Sequence, residues 1–242
     1  PIGVQIALLL ADKILSILNF NSAVSLSISI LGFFLFLASF SLEPWSFFIF
    51  LLLAGFAVGI VEVAVNIEAD RVEYKFKKRI MNRSHSFWSL GFFSAGLLGA
   101  IFSQLKISPM NHFLFCFVLG VLLVCYFSKK YIAVPSRPTL NMKPSIFVFP
   151  SKKVLALVFF TLSAMLIEGA SIDWSVIFMR NIFSTTPFIN GMALFLGAAA
   201  QFLVRFYADD IVEKFGSKNV ARLSIIAMSI GLTFVSFSSS PY

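Results

Sequence analysis

Seven apolar runs, separated by short charged gaps, restrict what this chain can fold into more than any motif within it. They lie near residues 20–40, 45–67, 86–104, 112–127, 154–178, 188–208 and 223–237. A spanning helix needs about 20 mostly apolar residues, whereas a barrel strand is a stretch of about 10 that alternates. These runs are continuous, so the expectation is an all-α, polytopic helical bundle in a bilayer. Composition agrees, with 59% hydrophobic and 12% charged residues where a soluble domain carries about 45–50% and about 25%.

The net charge of +8 could suggest nucleic acid, but the basic residues fall in the gaps between runs, where lysine and arginine mark cytoplasmic loops. Nucleic acid is therefore not an expected partner. Cys116 and Cys125 share one run and are too far apart along a helix to bridge, so they suggest neither a disulfide framework nor a metal site.

The gap after Glu68 holds Arg71, Lys75, Lys77, Lys78, Arg79 and Arg83. The next holds only Lys106, the following one Lys129, Lys130, Arg137, Lys143, Lys152 and Lys153, the next only Arg180, and the last Lys214, Lys218 and Arg222. Rich and poor gaps alternate. This places Lys13, Lys78, Lys143 and Lys218 in the cytoplasm, with Glu43, Lys106 and the terminal Tyr242 outside. The formal glycosylation sequon Asn82-Arg83-Ser84 then faces the cytoplasm and should go unused.

The longest gap, 129–153, contains Pro135, Pro138, Pro144 and Pro150 and no acid, as an extended linker would. It separates an amino-terminal helical half, 1–128, from a carboxyl-terminal half, 154–242. A short internal repeat supports the division: ADKILSILN from Ala11 aligns with ADDIVEKFG from Ala208. Asn19 then matches Gly216, and both residue types readily adopt a left-handed helix cap. Ahead of the first copy, PIGVQIALLL is about half a span long and opens on proline, so the chain reads as cut inside a helix. No basic region precedes that run as in a signal peptide.

With these features the chain resembles the major facilitator superfamily (MFS) of secondary transporters. The repeat stands where that family carries its signature cytoplasmic loop, and ADDIVEKFGSK is similar to the longer-spaced version of it. SHSFWSLGFFSAGLLGA from Ser84 and EGASIDWSVIFMR from Glu168 resemble a sugar-permease-like branch. The resemblance implies two pseudo-symmetric halves, incomplete at both ends, with 154–242 holding only the seventh to ninth helices. It assigns Asp12, Asp209, Gly216, Lys218 and Arg222 to the loop motif. The first copy lacks the glycine and the basic cluster.

The run interiors carry the candidate site residues. Gly55, Gly59, Glu62 and Asn66 recur at helical spacing on one face. A carboxyl in hydrocarbon costs several kcal/mol and usually faces a cavity, though Glu62 could instead be a paired acid that holds helices together. The resemblance implies that Glu62 carries a coupling proton. Gly91, Ala95 and Gly99, and again Ala193 and Gly197, form small-residue seams suited to close helix packing. Thr161, Ala164, Glu168, Ser171 and Ser175 make a narrow small-and-polar face. Asp173 and Trp174 lie off it, Asp173 either touching solute or pairing with Arg180, Trp174 either stacking on solute or anchoring at the interface. His85, near the cytoplasmic boundary, suits a cap as well as a proton relay.

A membrane enzyme would need a catalytic constellation, and HExxH, a phosphate-binding glycine loop and GxSxG are all missing from the sequence. No channel filter is visible either. The expected activity is secondary active transport of a small polar solute, sugar-like, by alternating access with proton coupling in the cytoplasmic membrane. Asn66, Trp174 and Gln201 join the two acids as solute contacts. The expected partners are that solute, protons and membrane lipid, with a monomeric full-length form and no cofactor. Drug or organic-cation efflux by proton antiport is the alternative, as is a fragment without transport activity of its own.

Overall fold

The structure, a computed structural model, describes residues 2–135 and 149–240. Arg137, Pro138, Lys143 and Pro144 of the central loop, and the terminal Tyr242, lie outside the described residues. Within them the chain forms eight helices: α1 (Ile2–Ile17), α2 (Phe20–Ala38), α3 (Pro44–Phe76), α4 (Met81–Gln104), α5 (Pro109–Ser128), α6 (Lys152–Phe183), α7 (Pro187–Phe215) and α8 (Ser217–Ser236). All but α1 are long and apolar enough to cross a membrane, so this is a multi-pass membrane protein.

The helices overrun the apolar runs that announce them. The third extends nine residues past Ile67, the seventh continues from Ala208 to Phe215, and the eighth begins at Ser217 rather than near 223. Most of 68–83, which reads as a loop in the sequence, is therefore helix, and only residues 77–80 connect α3 to α4. A hydropathy boundary marks where side chains leave hydrocarbon, while the backbone ladder runs on until something caps it. At 33 residues, α3 is about 50 Å long against a hydrocarbon layer of about 30 Å. Its charged final third must stand outside that layer.

Residues at the helix ends show what stops them. Lys77 closes α3 in the left-handed conformation (φ 50°, ψ 36°), and Ser184 does the same for α6. Asn19 does not adopt the left-handed cap that its match to Gly216 suggested. It is extended (φ −67°, ψ 160°) and its side chain accepts the backbone N–H of Ser22 at 2.8 Å, starting α2 rather than ending α1. Gly216 does need its glycine: φ 78° with ψ 144° is a region L side chains rarely adopt, and it lets α7 turn directly into α8.

Contact divides the helices into two compact units, and not in chain order. One unit holds α1, α2, α3 and α5; the other holds α4, α6, α7 and α8. In the first, Ala7 and Ala11 of α1 pack on Ile60 of α3, with Ile14, Phe56 and Val63 around them. The closeness depends on small residues. A Cβ on Gly59 would stand 2.6 Å from that of Ala7, and one on Gly3 would run into the α3 backbone at Leu52. Gly32 of α2 similarly admits Phe117 of α5.

Just beyond α5, the Tyr131 ring packs at a tilt against that of Phe20 (centroids 4.9 Å apart), and its hydroxyl donates to the buried Glu68 carboxylate at 2.7 Å. Glu68 also pairs with Arg71 at 3.1 Å. Burial, then the bond to Glu68, pushes the Tyr131 phenol up to about 12. Because the folded state favours the neutral phenol, its stabilisation is complete below the ordinary value near 10 and is lost as pH rises through about 12. Ultraviolet titration should show a tyrosine transition near 12 that Tyr131→Phe removes; ionisation of Tyr131 near 10 would mean that the bond is not held in solution.

In the second unit the most extensive contact is between α4 and α7, which run antiparallel along their whole lengths. Gln104 accepts the Phe188 N–H at one end, Gly191 meets Ala100, Gly96 meets Phe195, and Ser89 meets Gln201 further along. The seam in contact is thus Gly96 and Ala100 against Gly191. Gly91 and Gly197, which the sequence pattern singled out, have no atom within 4 Å of a Cβ position, and Ala95 is exposed while Gly99 is half-buried. A Cβ on Gly191 would stand 2.5 Å from that of Ala100. Gly191→Leu should accordingly cost at least about 1–3 kcal/mol by forcing the two helices apart. Thermal unfolding in lipid nanodiscs should show a large fall for Gly191→Leu and little change for Gly197→Leu, and equal effects would refute this packing.

Candidate solute site

Four polar side chains from three helices of the second unit, Ser89, Glu168, Gln201 and Arg205, meet at one point. Gln201 and Arg205 are four residues apart on α7 and so share a face. That face meets Glu168 of α6. Gln201 Nε2 donates to Glu168 Oε1 at 2.6 Å, and Arg205 Nη2 donates to the same oxygen at 2.8 Å. From α4, the fully buried Ser89 donates Oγ to Gln201 Oε1 at 3.0 Å and accepts from Arg205 Nη1 at 3.5 Å. Trp88 lies with its ring 5.8 Å from the guanidinium carbon, within cation–π reach.

Three helices therefore supply a closed network in which one positive and one negative charge cancel. Charge-assisted, short hydrogen bonds of this kind are the strong ones, and their partners make a charge tolerable at membrane depth. The Glu168 and Arg205 side chains are 34% and 25% exposed. The pair is thus not sealed, and Glu168, Gln201 and Ser171 form the polar part of the wall of a cavity of about 320 Å³. Phe92, Ile167, Leu194 and Met228 contribute to its apolar part, drawn from all four helices of the unit.

A second polar cluster lies at the N-terminal end of α4. Asp209, only 5% exposed, accepts from Asn82 Nδ2 at 2.7 Å and from the Arg83 backbone N–H at 3.2 Å. The residue at the α4 N-cap position, Ile80, offers no side-chain bond. Asp209 thus does from another helix what a local capping residue would do, and its negative charge suits the positive end of the α4 dipole. Arg83 pairs with Asp210 at 3.0 Å and lies over the Phe206 ring at 5.0 Å. The asparagine of the formal sequon is engaged in this cluster.

Of the residues singled out in the sequence, Glu168 and Gln201 are brought together, and Ser171 joins them at the cavity. Asp173 and Trp174 are exposed, Trp174 at 64%. Arg180 donates to Asn181 at 3.4 Å, and the ion pairs among the described residues do not include one between it and Asp173. In the first unit, Glu62 is exposed on α3 and Asn66, one turn on, is half-buried. Asp12, Gly216, Lys218 and Arg222 are exposed, unlike Asp209. Sequence reasoning missed Arg205, Ser89 and Trp88. The signal for Arg205 was present, since an arginine inside the run 188–208, one turn from Gln201, needs a partner.

An uncharacterized MFS-type transporter of Yersinia pestis is 30% identical to the chain over 199 residues, which is 81% of this chain and 51% of that protein. An uncharacterized transporter of Sinorhizobium fredii is 26% identical over 189 residues, 76% of this chain and 49% of the relative. The chain spans about half the length of the curated relatives it matches. No protein-family model and no solved structure matches it. Seven membrane-length helices, and likeness over about four-fifths of its length to transporters of which one is of the MFS type, agree with the resemblance of the chain to the major facilitator superfamily.

Proposed function

We propose that the full-length protein is a secondary active transporter of a small polar solute, sugar-like in its hydroxyl groups, working by alternating access with proton coupling in the cytoplasmic membrane of a bacterium. The observation that carries this reading is the network of Glu168, Gln201, Arg205 and Ser89 beside a cavity of about 320 Å³. Pockets of this size suit small molecules, and ionisable groups at membrane depth mark solute or ion pathways by default. Glu62 is the proposed coupling acid: it is exposed on α3 within an apolar stretch, where a carboxyl needs an aqueous path or a polar partner. Asp209 at the α4 N-terminus is the proposed hinge contact between α4 and α7. Organic-cation efflux has less support, because Glu168 already spends its charge on Arg205.

The test is solute movement by the full-length protein in proteoliposomes under an imposed pH gradient. A labelled hydroxylated solute should accumulate several-fold above its external concentration and run down when a protonophore is added. Expulsion of lipophilic cations with no accumulation of any hydroxylated solute would replace this reading with efflux.

A further inference from the structure

The cavity of the second unit carries a statement about ligand chemistry finer than small and polar. Only three of its twelve lining residues, Glu168, Ser171 and Gln201, bear a polar side chain, and they come from adjoining turns of α6 and from α7. A bare sugar, hydroxylated all round, would leave most of its groups against hydrocarbon, at a cost for each that lacks a partner. A cation would have to compete with Arg205 for Glu168, and an anion with Glu168 for Arg205, because the pair is already closed at 2.8 Å. What remains open is an acceptor: Gln201 and Arg205 both donate to Oε1, and among the described residues nothing donates to Oε2.

We infer that this cavity takes a neutral amphipathic solute, with an apolar body lying against Phe92, Leu194 and Met228 and a hydroxyl or amide N–H donating to Glu168. The inference rests on the transport reading above and narrows its substrate class. Ligand orientation follows from the wall: the donor end points to α6 and α7 at Glu168 and Gln201, and the apolar end fills the space beside Gly197. That space is open, since a Cβ on Gly197 would meet no atom within 4 Å although the residue lines the cavity.

The experiment measures equilibrium binding to the full-length protein in lipid nanodiscs with three probes: a phenyl hexoside, the free hexose, and a phenylalkylammonium of similar size. The phenyl hexoside should bind at least tenfold more tightly than either of the others. Gly197→Leu, which fills the cavity without touching the ion pair, should weaken it at least tenfold, while Gly197→Ala weakens it little. Ala193→Leu, on the same wall, provides the blocking variant if Gly197→Leu expresses poorly. Equal binding of hexose and hexoside, tighter binding of the cation, or undiminished binding in both blocked variants would overturn the inference. Each of those results leaves the transport reading intact, because that is judged by accumulation in proteoliposomes. Hexoside binding as described, without accumulation of any solute, would uphold the site and remove the transport reading.

Discussion

Arg205→Gln should be among the most damaging single substitutions in the second unit. It strips Glu168 of its charged partner and leaves a carboxylate at membrane depth with Gln201 alone. Breaking a fully buried pair costs about 3–5 kcal/mol; with side chains 34% and 25% exposed, a loss of roughly 2–3 kcal/mol is the expectation after allowing for that exposure. Glu168→Gln should cost a similar amount by stranding the guanidinium. The double variant, in which two amides can still hydrogen-bond to each other and to Ser89, should recover most of the loss. A double-mutant cycle on thermal stability would then give a coupling of at least about 1 kcal/mol. Arg205→Lys should not rescue, since an ammonium cannot reach Glu168 and Ser89 together as the fork does, nor stack as well on Trp88. Additive single effects would show that the two residues do not act as a pair.

The largest functional effect should come from Glu62→Gln, which copies the protonated carboxyl with little change in volume. If Glu62 carries the coupling proton, the variant should bind solute and exchange it across the membrane at near the normal rate. It should nonetheless lose nearly all accumulation against a gradient, because only the link between the proton and solute gradients has been cut. The geometry makes the comparison with Glu168 informative. Glu62 is exposed on α3, so its replacement should disturb little packing in its own unit, whereas Glu168 accepts from two side chains, Gln201 and Arg205. Stability should therefore barely change in Glu62→Gln and fall in Glu168→Gln. Normal accumulation by Glu62→Gln under a pH gradient would move the coupling role elsewhere.

The spans were legible in the sequence because the bilayer reads a chain one segment at a time: some 20 apolar residues partition into it whatever their neighbours are. The basic residues of the gaps were legible for the same reason, each reporting on its own surroundings. Helix ends were not, since α3 and α7 continue into water until Lys77 and Gly216 stop them, and hydropathy is silent about a backbone that is already satisfied. Glu168 and Gln201 could be picked out as polar residues inside apolar runs. That Arg205 neutralises the one and Ser89 orients the other could not, because those bonds join faces of α4, α6 and α7 that are up to 116 residues apart in the chain.

The same limit applies to packing. A seam of small residues at spacing four announces that some helix can approach, and both Gly91, Ala95, Gly99 and Gly96, Ala100 satisfy that pattern. The antiparallel register of α7, with Gly191 opposite Ala100, selects the second. Asp209 likewise belongs to a motif readable in the chain, yet its work as the cap of α4 depends on where α7 brings it. By itself the sequence determined which segments enter the bilayer and which family the chain resembles, since both are sums of local preferences. Only the tertiary structure decided which polar groups satisfy one another, because in a medium without water each buried donor must find its acceptor on another helix.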